Sequence, residues 1–454
     1  MIEQVHIYHT NDVHSHFENW PKIRTFLQRK KSLYKDKDNF LLFDIGDHVD
    51  RWHPYTEGTV GKGNVQLLNE LGYTAVTIGN NEGITLSHTE LDSLYKEAKF
   101  DVLVANLFNQ SGKRPNWAMP YNIYTTKNGI NIGVLAVTAD FGKLYELLGW
   151  RLTEPIPQVA AELQYMRKIA DIIIVLSHLG IYEDEKMANL YPEIDIILGG
   201  HTHHVLPEGK MIHNTLLAAA GKHGNYVGKV SVTIDTHRKK LIDKSALLYN
   251  TKQLPAPKEE ERDIVAFQSE GKQLLNSVLV NLPETLEIDW FGPSLLSKIL
   301  CEAINEWCES DCAFINVGLL LGNLQKGNVT RYDIHSILPH PINPCLIELS
   351  GAELKDVLLQ TLDSKWPTLE LKGLGFRGKI LGNFIYHNIT IRNQNLFIKG
   401  KPLEENKKYT LGTVDMYTFG HFFPQLLEAK KKYFMPEFIR DVMIWKLQKK
   451  YGDL

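Results

Sequence analysis

The sequence contains few cysteines and lacks any long apolar run. Its four cysteines, Cys301, Cys308, Cys312 and Cys345, all lie in the second half of the chain. Cys308 and Cys312 could share a helical face, but no second pair supplies the remaining ligands of a zinc site, so buried reduced thiols are favoured. No apolar stretch approaches the roughly 18 residues of a membrane span, and no charged and apolar leader opens the chain. We therefore expect a cytoplasmic protein with no membrane partner.

The sequence also lacks an excess of charge of one sign. The 454 residues include 50 Lys and Arg against 53 Asp and Glu, a formal net charge of -3. This balance gives no electrostatic reason to expect a nucleic acid as partner, and it leaves the oligomeric state open. Because 454 residues exceed one ordinary hydrophobic core, the length predicts two domains.

The first half of the chain alternates short β-branched runs with amphipathic stretches such as Asn64–Leu71 and Thr89–Lys99. Near-continuous apolar runs are typical of strands buried on both faces, and this alternation predicts a layered α/β domain. A closing hairpin is expected at Val227–Ile234 and Lys240–Leu248. The strand candidates before it are Val5–His9, Phe40–Ile45, Ala75–Ile78, Val102–Ala105, Ile132–Val137, Asp171–Ser177, Ile194–Leu198 and Leu216–Ala220.

A change in composition at Thr251–Arg262, with two prolines and a run of charges, predicts a linker. We expect an amphipathic helix to follow it through about Val280. The second half then mixes helices (Ser294–Cys308, Gly351–Leu362) with later strands in an α+β pattern. The predicted organisation is a first domain over residues 1–250, a linker and connecting helix over 251–280, and a second domain over 281–454.

Polar side chains follow five of the predicted strands, at the point where each strand ends. Any one of them alone is better explained as a polar turn. Together, in strand order, they are typical of a metal site built at the carboxyl ends of buried strands, and adjacent glycines allow a close approach of backbone and ion. The runs are Asp12-Val13-His14, Gly46-Asp47, Gly79-Asn80-Asn81-Glu82, Ser177-His178 and Gly199-Gly200-His201-Thr202-His203.

These runs resemble the motifs of the calcineurin-like metallophosphoesterase superfamily, which are Asp-x-His, Gly-Asp, Gly-Asn-His-Asp/Glu, a later His and Gly-His-x-His, across about residues 1–235. A narrower resemblance is to the 5′-nucleotidase family, through Thr10-Asn11-Asp12-Val13-His14 and, in the second half, Leu338-Pro339, Leu349–Leu354 and Tyr409-Thr410-Leu411. The resemblance implies a four-layer α/β/β/α sandwich followed by an α+β substrate-binding domain.

The resemblance also implies two divalent ions bridged by Asp47, which would make Asp47 catalytic as well as a ligand. One ion would be held by Asp12, His14, Asp47 and His203, and the other by Asp47, Asn80, His178 and His201. Imidazole and carboxylate ligands suit Mn, Zn, Fe or Co, whereas Mg²⁺ and Ca²⁺ prefer oxygen alone. Such an ion pair would generate a bridging hydroxide that attacks phosphorus.

Two departures from the family pattern concern the substrate. Asn81, which we predict to be catalytic, stands where the family has a catalytic histidine, and Ile84 stands where it has the aspartate partner of that histidine. In the second half, the segment Asn316–Leu321 lacks the family's phosphate-binding arginine. His340 replaces the aromatic residue of the Leu-Pro-Phe stretch. The remaining candidates for substrate binding are Asn343, Asp415, Phe419 and His340.

Three functions are consistent with these residues. The first is a metal-dependent hydrolase of a nucleotide-like phosphoester other than an ordinary monophosphate, because esters with good leaving groups suffer least from a missing proton donor. Cyclic phosphodiesters, nucleotide sugars and dinucleotides fit that description. The second is an ordinary 5′-nucleotidase with a rearranged pocket, and the third is a metal-containing binding or sensor protein with little turnover.

Overall fold

The computed structural model describes residues 1–34, 39–393 and 395–452. The chain divides into two compact units, Met1–Gly271 and Lys272–Leu454. The division falls within a helix, α9 below, that occupies Glu260–Leu274. The boundaries predicted from the sequence, at residues 250 and 280, stay a prediction. No helix in the described part of the chain is both long enough and apolar enough to cross a membrane.

The first unit is built from two six-stranded sheets and the helices that cover them. Its elements are β1 (Ile2–Thr10), α1 (Trp20–Tyr34), β2 (Phe40–Asp44), α2 (Pro54–Thr59), α3 (Lys62–Leu71), β3 (Ala75–Val76), α4 (Asn80–Thr85), α5 (His88–Leu94), β4 (Asp101–Val102), β5 (Leu107–Asn109), β6 (Tyr121–Thr125), β7 (Asn131–Thr138), α6 (Gly142–Leu147), β8 (Trp150–Leu152), α7 (Pro155–Met166), β9 (Ile172–His178), α8 (Ile181–Leu190), β10 (Ile196–Gly199), β11 (Lys210–Ile212), β12 (Thr215–Ala218), β13 (Tyr226–Asp235), β14 (Lys240–Asn250) and α9 (Glu260–Leu274).

The two sheets of this unit pack face to face. The first sheet has the order β14-β13-β1-β2-β3-β4 and the second the order β11-β12-β10-β9-β7-β6. Strands β1 to β4 run parallel, as do β7, β9, β10 and β12. Alternate residues of each central strand, such as Ile7, Phe43, Ile174 and Leu198, meet in one buried cluster. The inward-facing residues therefore form the core between the sheets.

Helices cover the outer faces of both sheets. On the second sheet, Leu163 of α7 and Met187 of α8 pack against Ile173 and Ile197. On the first sheet, the ring of Phe26 in α1 lies 6.2 Å from that of Tyr8 in β1, centroid to centroid. The layers are thus helix, sheet, sheet and helix, so the predicted four-layer sandwich is confirmed.

The second unit has an α+β fold around a five-stranded sheet of order β19-β16-β23-β18-β24, with α10 and α14 among its helices. All four cysteines are buried and free. The elements are β15 (Val278–Leu282), α10 (Leu295–Trp307), β16 (Cys312–Asn316), β17 (Gly327–Thr330), α11 (Arg331–Ile337), β18 (Pro344–Ser350), α12 (Gly351–Gln360), β19 (Phe384–His387), β20 (Ile389–Arg392), β21 (Asn395–Ile398), β22 (Lys401–Pro402), β23 (Lys408–Val414), α13 (Pro424–Glu428), β24 (Lys430–Tyr433) and α14 (Ile439–Tyr451).

The structure corrects one predicted element. The helix expected to continue through about Val280 ends at Leu274. The following segment, Val278–Leu282, forms strand β15 and pairs antiparallel with β17. Two β-branched valines, Val278 and Val280, favour a strand here, and the pairing with β17, from Leu282 with Gly327 to Val278 with Thr330, overrides the helical pattern.

The packing between the sheets makes a direct prediction about stability. Ile174 is fully buried in the inter-sheet core, so Ile174→Ala should lower the free energy of unfolding by about 2–5 kcal/mol. The matched control is Ile242→Ala on β14, where the side chain is 53% exposed and the expected change is within about 0.5 kcal/mol. Chemical denaturation followed by circular dichroism measures both changes. Equal losses in the two variants would contradict the assigned core.

Candidate metal centre

The predicted ligands come from loops at the carboxyl ends of strands in both sheets. Asp12 and His14 follow β1, Asp47 follows β2, and Asn80 opens α4 just after β3. His178 is the last residue of β9, whereas His201 and His203 follow β10. Because these strands run parallel within each sheet, their carboxyl ends meet at one edge of the sandwich.

Two groups of donor atoms lie close enough together to hold an ion. The donor atoms of Asp12, His14 and His203 lie within 4.8 Å of one another, as do those of Asp12, Asp47 and His178. In the first group, His203 Nε2 is 3.4 Å from Asp12 Oδ1 and 3.2 Å from His14 Nε2. In the second, His178 Nε2 is 3.4 Å from Asp47 Oδ2.

Asp47 faces histidines of both groups. Its Oδ2 lies 3.4 Å from His178 Nε2 and 3.7 Å from His14 Nε2, while its Oδ1 accepts a hydrogen bond of 2.7 Å from the Asn81 backbone N–H. Asp12 is also shared, since it belongs to both groups. Two carboxylates, rather than Asp47 alone, therefore lie between the two sets of imidazoles.

His201 and Asn80 complete the predicted set. The His201 backbone N–H donates to Asp12 Oδ1 at 3.0 Å, and its ring centroid lies 5.2 Å from that of His178. Asn80 Oδ1 is a buried oxygen atom. The structure thus brings all seven predicted ligands to one edge of the sandwich, and their role as ligands stays a prediction.

The residues present fit a pair of divalent ions. Among the described residues, Asn80 Oδ1 is a buried oxygen without a hydrogen-bond partner, and His178 Nε2 makes no hydrogen bond but lies 3.4 Å from Asp47 Oδ2. An unpaired buried polar atom costs about 1–3 kcal/mol, and coordination to an ion would remove that cost. His178 Nδ1 donates to the carbonyl oxygen of Ile45 at 2.7 Å, which leaves its Nε2 directed at Asp47. The imidazole and carboxylate donors suit Mn, Zn, Fe or Co.

The backbone at this edge is strained. Five of the predicted ligands, none of them glycine, have positive φ in the left-handed region: Asp12 (50°), His14 (50°), Asp47 (51°), His201 (72°) and His203 (57°). Each such residue costs of order 1–3 kcal/mol and persists only where the surrounding structure holds it. Strained residues cluster at functional sites, and this concentration is a structural sign of function that the sequence did not provide.

At two positions only glycine fits, because atoms of the predicted ligands lie too close to leave room for a Cβ atom. A Cβ atom on Gly79 would lie 2.0 Å from Asp47 Oδ1. A Cβ atom on Gly200 would lie 3.0 Å from His178 Nδ1 and 3.1 Å from Asp12 Oδ2. A side chain at Gly79 would therefore displace Asp47, whereas one at Gly200 would press against both His178 and Asp12.

The charges of the site are mutually stabilised. Burial alone would raise the pKa of Asp47, but the imidazoles of His178 and His14 and the N–H of Asn81 hold it well below its usual range. Burial alone would lower the pKa of His178, but Asp47 and Asp12 raise it to about 10. Asp47 is thus ionised, whereas His178 would have to release a proton before its Nε2 could bind a cation.

Glu82 organises the loops that carry Asp47 and Asn80. It is 1% exposed and accepts hydrogen bonds from the backbone N–H groups of Asp47 (3.0 Å), Val49 (2.8 Å) and Gly79 (2.8 Å). Burial and the nearby Asp47 raise the pKa of Glu82 to about 7. The sequence analysis included Glu82 in a motif but did not predict that it holds these loops together. The only sequence feature that pointed to such a role was its position two residues after Asn80.

Asn81, predicted to be catalytic, contacts the ligand set directly. Its Nδ2 lies 2.8 Å from His14 Nδ1, and the same ring nitrogen lies 3.2 Å from Asp50 Oδ2. The side chain of Asn81 therefore meets the ring that carries a predicted metal-binding nitrogen. Its catalytic role stays a prediction. Asp50 was not predicted as a functional residue, and its contact with His14 is typical of the carboxylates that orient metal-binding histidines.

The substrate-binding candidates of the second unit are mostly engaged within it. His340 is fully buried, with Nε2 2.7 Å from the Leu319 oxygen and Nδ1 accepting from the Arg377 N–H at 2.8 Å. Asn343 Nδ2 donates to the Glu437 oxygen. Direct binding through the His340 ring nitrogens would require these hydrogen bonds to break.

Asp415, a further candidate, accepts from the Asn343 N–H at 3.1 Å, and burial raises its pKa to about 7. Phe419 is partly exposed. The role of all four candidates in substrate binding stays a prediction.

A two-sheet sandwich with two adjacent donor groups at its strand ends agrees with the metallophosphoesterases that the sequence motifs resemble. Residues 5–205 match the family described as calcineurin-like phosphoesterase, and residues 278–423 match the 5′-nucleotidase C-terminal domain. Over 460 residues the chain is 42% identical to a Bacillus subtilis (strain 168) protein named uncharacterized metallophosphoesterase YunD, covering 98% of this chain and 100% of that one. The chain belongs to the calcineurin-like metallophosphoesterases that carry a 5′-nucleotidase C-terminal domain, and it is a phosphoric ester hydrolase.

Solved structures share the fold over almost the whole chain. The 5′-nucleotidase precursor from Thermus thermophilus is 20% identical with a TM-score of 0.60, covering 99% of this chain and 97% of that one. The NAD nucleotidase (NadN) of Haemophilus influenzae is 16% identical with a TM-score of 0.66, and the coverage is again 99% and 97%. The resemblance and fold inferred from the sequence are confirmed.

Calcineurin-like phosphoesterases use a dinuclear divalent centre, and the candidate residues of this chain agree with one.

Metal binding should depend on Asp47. We expect Asp47→Asn to weaken Mn²⁺ binding, because it removes the carboxylate that faces His14 and His178. Asp243→Asn changes an exposed aspartate of β14 in the same unit and should bind Mn²⁺ like the wild type. Equilibrium dialysis against Mn²⁺ gives affinity and stoichiometry for each protein. Unchanged binding in Asp47→Asn would place the ions elsewhere.

Proposed function

We propose that this chain hydrolyses nucleotide-like phosphoesters at two divalent ions, Mn, Zn, Fe or Co, held by its predicted ligands. The observation that carries the proposal is the pair of adjacent donor groups, which share Asp12 and include the Asp47 carboxylate. When bound, such ions activate a water molecule as nucleophile and neutralise the phosphoryl oxygens. The proposed ligands are Asp12, His14, Asp47, Asn80, His178, His201 and His203.

Residues of this chain hold that centre in place. Asp47 presents Oδ2 to the histidines of both groups because the Asn81 N–H fixes its Oδ1. The His178 ring is oriented by the Ile45 carbonyl, and that of His14 by Asp50. Electrostatic stabilisation of a transition state depends on such preorganisation. We further propose that residues 281–454 contribute substrate contacts, with Asn343, Asp415, Phe419 and His340 as candidates.

Asn81 restricts the substrates. Its neutral amide lies 2.8 Å from His14 Nδ1 and carries no proton that it could transfer to a leaving oxygen. Substrates whose leaving group departs without protonation should therefore react best, which favours activated esters and anhydrides such as nucleotide sugars and dinucleotides over simple monophosphates. Relatives named for nucleotide hydrolysis, such as NAD nucleotidase, support a nucleotide-like substrate.

We also propose that the protein acts in nucleotide catabolism in the cytoplasm. Four buried free cysteines support a reducing compartment, since cytosolic proteins keep their thiols reduced. Fractionation of the native host cells, with the chain followed by antibody, tests this location.

Hydrolysis itself is the first test. With Mn²⁺, the purified protein should release product from an activated aryl phosphate or phosphodiester, and Asp47→Ala should reduce the rate to background. Asp243→Ala is the matched control and should keep the wild-type rate. A panel of phosphoesters and metals, with release of phosphate or aryl alcohol measured, covers the substrate classes. No turnover by the wild type with any metal would favour a binding or sensor protein.

A second test addresses Asn81. Asn81→His introduces an imidazole that can carry charge, and should raise kcat/KM for a nucleoside monophosphate by up to about 10²-fold. Asn128→His, in an exposed turn of the same unit, is the control for an added histidine. Steady-state phosphate release measures both variants. An unchanged rate would show that the pocket, and not this position, limits monophosphate hydrolysis.

A further inference from the structure

A histidine outside the predicted ligand set, His223, lies beside the first group of donor atoms. Its ring centroid is 5.9 Å from that of His14, at an interplanar angle of 81°. The His14 ring also meets the ring of His203, at 5.3 Å between centroids. His223 comes from the loop between β12 and β13, which supplies none of the predicted ligands. The structure therefore brings a further imidazole to the candidate metal centre.

The backbone of His223 is held against the ligand set. Its N–H donates to the carbonyl oxygen of Asp12 at 2.7 Å, and its own carbonyl oxygen accepts from Asn19 Nδ2 at 2.9 Å. Its φ of 59° lies in the left-handed region, which residues other than glycine seldom adopt. Such strain persists only where the surrounding structure holds it, and it is typical of functional sites.

The ring of His223 is held by a stack of three rings. The His16 ring lies 3.7 Å from that of His223 at 28°, and 4.8 Å from that of Trp52 at 43°. Both supporting rings are fixed in turn, because His16 Nδ1 lies 2.7 Å from Glu18 Oε1 and Trp52 Nε1 donates to the His14 carbonyl oxygen at 2.7 Å. The stack covers a face of the His223 ring and leaves its edge, which carries the nitrogens, uncovered.

The nitrogens of His223 are available to a ligand. Neither makes a hydrogen bond within the described part of the chain, and the side chain is partly exposed. The neighbouring ligands are accessible too, since the side chain of His203 is 31% exposed and that of His14 is 12% exposed, whereas that of His178 is fully buried. The rings of His14, His203 and His223 therefore border an open side of the centre.

Other histidines near the predicted ligands are less suitable for contact with a substrate. His48 and His53 are both buried. His204 is exposed, but its Nδ1 lies 2.9 Å from Thr202 Oγ1. Compared with these three, His223 combines an accessible ring, nitrogens without a hydrogen bond and contact with the ring of a predicted ligand.

We propose that His223 donates a hydrogen bond to a phosphoryl oxygen of the bound phosphoester, and so supplies an imidazole contact that the chain lacks at Asn81. This inference rests on the proposed phosphoester hydrolysis and adds a catalytic residue to it. Charge is spread over the phosphoryl oxygens in the transition state, and a donor already held in place stabilises it. A neutral imidazole donates without giving up its proton, so the preference for leaving groups that depart unprotonated is unchanged.

The first experiment removes the donor and keeps the ring. His223→Phe can still stack on His16, and with Mn²⁺ and an activated aryl phosphate it should lower kcat/KM by about 10²-fold. His223→Gln keeps an N–H donor and should recover part of that loss. His237→Phe, in the exposed turn at the other end of β13, is the matched control and should keep the wild-type rate. A wild-type rate in His223→Phe would overturn the proposal.

Two binding measurements separate a substrate contact from a structural role. Calorimetric titration of the Mn²⁺-loaded protein with inorganic phosphate should show binding to His223→Phe that is weaker by about 10-fold than binding to the wild type. Equilibrium dialysis should show unchanged Mn²⁺ affinity in the same variant. Weaker Mn²⁺ binding would mean that His223 serves to hold the ions, and would overturn its assignment to the substrate.

A double variant tests whether His223 replaces the imidazole missing at Asn81. Asn81→His should raise kcat/KM by a larger factor in His223→Phe than in the wild type, because residues that share one role are not additive. Equal factors would contradict this replacement. Wild-type protein that hydrolyses no phosphoester would refute the proposed function alone, since the phosphate titration would still show whether His223 contacts a phosphoryl group.

Discussion

The attraction between buried carboxylates and imidazoles at the strand ends is the interaction on which the site depends. Asp12, Asp47 and His178 place donor atoms within 4.8 Å of one another, and all three residues are buried. Two ionised carboxylates so close together in a region of low polarity repel each other unless positive charge lies between them. Without ions, protonated imidazoles supply that charge, and two bound cations would replace it, because an imidazole nitrogen must be unprotonated to bind a metal. Folding and metal binding would therefore be coupled in this unit.

The rest of the first unit holds these charged side chains at fixed positions. The rigid sandwich fixes the strand ends, and Glu82 ties the loops after β2 and β3 by three backbone hydrogen bonds. The loops after β1 and β2 hold Asp12 and Asp47 at positive φ. This arrangement stores strain in the loops, and the packed core between the sheets offsets it. The stable core and the strained loops therefore have the same purpose, which is to hold Asp12, Asp47 and His178 close together.

Local patterns in the sequence were sufficient to predict most strands of the first unit and the positions of its candidate metal ligands. Apolar runs such as the one in Asp171–Ser177 predicted the buried strands, and Asp12 and His201 were chosen as candidate ligands because each follows such a run. Non-local features were not predictable. The local pattern predicted a helix that continues to Val280. Strand β15 forms there instead, because it pairs with β17 much later in the chain. The contact of Asn81 with His14 and the backbone hydrogen bonds accepted by Glu82 depend on how loops meet in space.

The most direct measurement of the central claim is an anomalous difference map from crystals of the full chain soaked in Mn²⁺. The account predicts two peaks at the carboxyl ends of β1, β2, β9 and β10. Both peaks should be bound by Asp47, with His14 and His203 at one and Asn80 and His178 at the other. A single peak, or peaks bound without Asp47, would contradict it.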